Sequence, residues 1–142
     1  MEMEIIPPEH YNLIWRVSWI CFFNSLYAAY NKYYDLSLAL GSIFLTSINY
    51  WRKPDYSWRR YLDIIVVQLG FMYQLTKAYN SEYSLIYYSF TFSGITMFFV
   101  GVYYYNKNEE KYLWRSTMCH ISLHVLANIG NVILYSGRIE NL

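Results

Sequence analysis

No charged residue lies between Arg16 and Lys32, Asp35 and Arg52, Asp63 and Lys77, Glu82 and Lys107, or Arg115 and Arg138. A bilayer core takes about 20 mostly apolar helical residues, within a range of about 17–25. Extended to the flanking aromatic residues, the five runs predict helices at Tyr11–Tyr30, Tyr33–Trp51, Tyr61–Tyr79, Tyr83–Tyr105 and Tyr112–Ser136. Tyr or Trp stands at most of these ends, as an aromatic belt at a membrane interface requires. The joints are short and polar. Pro54 interrupts the one between the second and third runs, where a continuous helix would lose a hydrogen bond and clash. The pattern predicts an all-α, integral membrane bundle of five transmembrane helices, filling residues 1–142 as a single domain.

Composition agrees with that pattern. Of the 142 residues, 56% are hydrophobic and 22% aromatic, and only 15% are charged, against about 25% in a soluble domain. Such a balance excludes a disordered chain. The mean hydropathy of +0.09 is held down by 18 Tyr and 5 Trp, which favour interfaces. A net charge of +1 gives no basis for nucleic-acid binding. Membrane lipids are the expected partners, with self-association as a further expectation.

Lys and Arg set the orientation. Arg16, Arg52, Lys53, Arg59, Arg60, Lys107, Lys111 and Arg115 fall on one side, and Lys32, Lys77 and Arg138 on the other. The N-terminus is therefore expected in the cytosol and the C-terminus on the opposite side. Glu2, Glu4 and Glu9 precede the first span without a basic leader, which argues against a cleavable signal peptide. The basic loop also suits anionic headgroups, at about 1 kcal/mol per charge near the surface. Cys21 and Cys119 both fall in apolar runs and are expected as buried thiols, not as a disulfide.

Polar groups inside the runs carry the candidate chemistry. Thr117, His120, His124, Asn128, Asn131 and Tyr135 recur at spacings of three and four, so they form one stripe on the last helix. Such a stripe cannot face hydrocarbon. It either bonds to other helices or lines a wet cavity. His120 and His124, at i and i+4, have the spacing at which two imidazoles bind one metal. Asp63 lies about 4.5 Å into the third span. It is either an interfacial partner of Arg59 or Arg60, or an intramembrane functional carboxylate. Ser47 lies about 6 Å deep, His120 about 7.5 Å and His124 about 13.5 Å, all counted from the cytosolic side. Three helices thus bring four polar groups to one layer.

Those residues resemble a known signature. Ser47-Ile48-Asn49-Tyr50-Trp51, then Asp63, then His120-Ile121-Ser122-Leu123-His124 is similar to the pattern of the intramembrane zinc hydrolases. That superfamily includes the alkaline ceramidases, the hemolysin III proteins and the progestin/adiponectin-type receptors. The distance from position 51 to Asp63 is also near that of the ceramidase branch. The resemblance implies zinc held by His120 and His124. It gives Asp63 the role of orienting a zinc-bound water or acting as base, and Ser47 that of supporting the site or the oxyanion. The implied activity is amide or ester hydrolysis of a lipid. Trp51 stands where the superfamily has a ligating His, and five spans replace its seven.

A catalytic zinc takes three protein ligands and a water, and lowers the pKa of that water to about 7. Asp63 or His10 is the candidate third ligand. Cys119 is about 100° round the helix from His120 and is poorly placed. Without a third ligand, a pseudoenzyme or a lipid-binding remnant is the better reading. Two other classes stay open: a structural or assembly protein whose stripe joins helices, and a transporter or channel subunit. No phosphate loop, Cys-pair metal motif or Ser-His-Asp order is present.

Overall fold

A computed structural model describes residues 5–140. Glu2 and Glu4 of the N-terminal segment lie outside the described residues. Five helices follow in order: α1 (Pro8–Tyr30), α2 (Tyr34–Trp51), α3 (Trp58–Tyr79), α4 (Ser84–Tyr105) and α5 (Glu110–Ser136). Among the described residues there is no strand, only an isolated antiparallel bridge between Ser81 and Ile139. The chain is all-α.

Local chemistry accounts for the helix ends. Pro8 opens α1, where its missing N–H costs nothing. Ser57 is extended and its hydroxyl accepts the Arg59 backbone N–H, so it caps α3. That cap starts α3 three residues before the predicted Tyr61. Glu110 begins α5 with an acidic side chain in the first turn, where the helix dipole favours it.

Among the described residues two helices, α4 and α5, are long and apolar enough to cross a membrane. The other three run 23, 18 and 22 residues but break their apolar runs with groups such as Asn24, Asn49, Gln68 and Gln74. By composition they fall short of the five spans expected.

Around the bundle the order is α4, α5, α1, α2, α3. Each helix packs on the next, whereas α3 and α4, though consecutive, touch least. The Tyr88 hydroxyl bridges these two by donating to the Leu75 carbonyl at 2.7 Å. Small residues let α4 and α5 approach closely. A β-carbon at Gly101 would lie 3.1 Å from that of Cys119, and one at Gly130 would lie 3.3 Å from that of Phe90. Leu36, Leu40, Ala78, Tyr87, Leu134 and Tyr135 form the main core at the far end from the α2–α3 loop. A smaller cluster of Ile6, Tyr11 and Ile14 sits against Trp51, Leu113 and Ile121 at the loop end. Large apolar side chains point outward from every helix. Phe23, Leu38, Leu69, Leu85 and Met118 are 49–80% exposed.

Candidate functional site

The stripe on α5 faces α1 and the bundle interior, and three of its six members bond across helices. Thr117 Oγ1 lies 2.7 Å from His10 Nδ1, and the His10 ring lies 4.0 Å from that of Trp114. Asn128 Oδ1 accepts from Asn24 Nδ2 at 2.7 Å, while Asn128 Nδ2 donates to the His124 carbonyl, also at 2.7 Å. Tyr135 donates its hydroxyl to Gln74 Oε1 on α3 at 2.7 Å. Asn131 is buried on the same face.

His120 and His124 are different, because they meet each other. Their Nε2 atoms lie 3.3 Å apart. The Trp51 indole lies edge-on to His120, with centroids 4.9 Å apart. Among the described residues the only hydrogen bond to either imidazole is the one between the two Nε2 atoms. Among the described residues no enclosed side-chain nitrogen or oxygen lacks a partner. Neither Nδ1 atom has a hydrogen-bond partner among the described residues, so neither is fully enclosed. Among the described residues no cation or carboxylate pairs with either ring, and an unpaired charge would be costly there, so both rings are neutral. One Nε2 must then donate and the other accept. The donor ring keeps a bare Nδ1, and the acceptor ring carries its proton on Nδ1. The pair thus presents one acceptor and one donor side by side.

Asp63 and Ser47, predicted to share a layer, are bonded. Ser47 Oγ donates to Asp63 Oδ1 at 2.9 Å, and Thr46 Oγ1 donates to the same oxygen at 3.0 Å. The expectation that Arg59 or Arg60 pairs with Asp63 is corrected. Arg59 instead binds Asp55 Oδ2 at 2.6 Å and the carbonyls of Asn49 and Lys53. Arg60 lies over the rings of Tyr56 and Tyr61. In that loop the Asp55 carboxyl is pulled down to about 2 by hydrogen bonds from Ser57 and then Arg59.

The four predicted residues thus form two pairs, with no hydrogen bond or ion pair between them. Among the described residues no group of three or more His, Cys, Asp or Glu side chains could hold a metal ion. His10 is engaged by Thr117. Cys119 packs toward Gly101 on α4 and Cys21 accepts from Asn128, so no disulfide joins the two thiols. A catalytic zinc needs three protein ligands, and the residues present supply two. Thr46, Asn24 and Gln74 were not singled out from the sequence. Their signal was a polar side chain within an apolar run.

The chain matches no protein-family model, no curated protein and no solved structure.

Proposed function

We propose that the chain is a five-span integral membrane protein with its N-terminus in the cytosol, and that it binds a lipid at His120 and His124 without hydrolysing it. On this reading it is a shortened relative of the intramembrane zinc hydrolases in which Trp51 replaces a ligand. The observation that carries it is the His120–His124 hydrogen bond, with neither Nδ1 atom hydrogen-bonded among the described residues. A neighbouring acceptor and donor complement a lipid amide or hydroxyl, which itself both donates and accepts. Five spans are supported by helices of 18–27 residues, or about 27–40 Å at 1.5 Å per residue. They are also supported by the outward apolar side chains on each helix.

The test uses full-length protein in detergent and two photoactivatable probes. One is a diazirine ceramide, which has an amide and hydroxyls. The other is a diazirine phosphatidylcholine, which has no hydrogen-bond donor. The ceramide should label the protein and the phosphatidylcholine should not. His120→Phe/His124→Phe should cut ceramide labelling about tenfold, which is 1.4 kcal/mol of binding. Equal labelling by both probes, or labelling indifferent to the double substitution, overturns lipid recognition by the pair. About one zinc per chain, lost in the double variant and accompanied by fatty-acid release, overturns the non-hydrolytic reading.

A second reading, a non-catalytic structural or assembly protein, is favoured by the three cross-helix bonds of Thr117, Asn128 and Tyr135. It predicts that neither probe labels and that the His substitutions lower stability alone.

A further inference from the structure

Of the aspartates in the chain, Asp35, Asp55 and Asp63, two have a cation. Asp35 pairs with Lys77 at 2.9 Å and Asp55 with Arg59 at 2.6 Å. Asp63 differs. It is 7% exposed, as deeply set as Asp55 at 8%, yet no Lys, Arg or His among the described residues pairs with it. Its partners are neutral: Ser47 Oγ and Thr46 Oγ1 of α2 both donate to Oδ1. A buried carboxylate without a counter-charge is costly, and two hydroxyls supply no net charge.

Two donors on one oxygen suit the ionised carboxylate. A proton on Oδ2 would find no acceptor, because Oδ2 has no hydrogen-bond partner among the described residues. That oxygen is also not fully enclosed. The hydroxyls can serve a cation while they hold the carboxylate. Each spends its one hydrogen and keeps two lone pairs. Thr46 has the Ile43 and Ser42 carbonyls, at 3.1 and 3.2 Å, as further acceptors for its hydrogen. The donor set is oxygen alone, which suits a hard cation with waters in the remaining positions. One carboxylate carries one negative charge. A monovalent ion neutralises it, whereas a divalent ion would leave a net positive charge buried.

We infer that Asp63, with Ser47 and Thr46, binds a monovalent alkali cation between α2 and α3. The inference rests neither on the His pair nor on lipid binding.

Thermal unfolding of the full-length protein in detergent tests it, followed by tryptophan fluorescence at neutral pH and constant ionic strength. The salts are sodium chloride, potassium chloride and N-methylglucamine chloride, whose cation is too large for the site. Sodium or potassium should raise the melting temperature by about 3–6 °C over N-methylglucamine at ten times the ion's dissociation constant. Asp63→Asn should abolish that rise. Ser47→Ala should weaken the cation about tenfold in the same titration, the effect of one lost contact to a charge. It reads the same site should Asp63→Asn fail to fold. Asp55→Asn and His120→Phe/His124→Phe should keep the rise. No response of the wild type to either alkali cation, the result expected if the carboxyl carries a proton instead, overturns the site. A rise that survives Asp63→Asn, or is unmoved by Ser47→Ala, places the cation elsewhere and overturns it too.

Discussion

The indole of Trp51 meets the imidazole of His120 at 63°, with their centroids 4.9 Å apart. Residue 51 is the last of α2, and His120 lies nearly three turns into α5. The two helices belong to different parts of the ring, so only the bundle's closure brings these rings together. Position 51 therefore looks onto the His pair, and a ligating side chain there would complete a three-nitrogen set.

Trp51→His should turn the pair into a zinc site. Metal analysis of detergent-purified protein should give about one zinc per chain in this variant. Trp51→His/His120→Ala/His124→Ala should lose it. A variant that binds no more zinc than wild type would show that position 51 is not aimed at the pair.

Asn24 and Asn128 join α1 to α5 near mid-bundle. A double-mutant cycle with Asn24→Ala and Asn128→Ala should return a coupling of about 0.6 kcal/mol, and no more than about 1.7 kcal/mol, the range for polar contacts between membrane helices. Unfolding in mixed detergent measures it. Zero coupling contradicts the bond.

The Asp63 carboxylate accepts two hydroxyls at one oxygen. Asp63→Asn keeps an acceptor there and should cost less than about 1 kcal/mol. Asp63→Leu leaves Ser47 and Thr46 without it and should cost about 1–3 kcal/mol. Equal losses for the two variants would sink this account of the site.

Close packing separates α4 and α5 by little more than glycine. Gly130→Leu forces a side chain against Phe90, Thr91 and Tyr87 and should cost about 1–3 kcal/mol. Gly94→Ala meets its first neighbour at 3.4 Å, an ordinary contact, and should change the melting temperature little. The reverse ranking would argue against this helix pairing.

The α2–α3 loop should resist acid. Asp55 is held at about 2, below its ordinary 3.8, by Ser57 and Arg59. A carboxyl lowered on folding contributes stability that is complete above about 3.8 and lost as pH falls through about 2. Trp58 fluorescence should stay constant from pH 6 to about pH 4 and change below about pH 3. Asp55→Asn should remove that step. A transition centred above pH 4 would contradict the loop's ion pair.

Much of this is legible in the sequence. Charge-free runs between Arg16 and Arg138 reveal all five helices, because a long run without charge has no solvent face to offer. The period of Thr117, His120, His124 and Asn128 reveals a single inward stripe, because helical geometry places i, i+3 and i+4 side chains together. Ser47 and Asp63 are both visible as polar groups near the ends of consecutive helices. The early start of α3 is less visible, since it depends on one capping hydroxyl at Ser57.

The sequence by itself determined the helical class, the helix count, the inward face of α5 and the i, i+4 meeting of its two histidines, all of which follow from local periodicity. Only the tertiary structure decided which groups face each other across helices. It gave Asp63 to Ser47 and Thr46, sent Arg59 to Asp55, tied His10 to Thr117 and laid Trp51 against His120. Those choices depend on the order of helices around the ring and on their relative rotation. Both are set by side-chain packing between segments far apart in the chain, which no local spacing records.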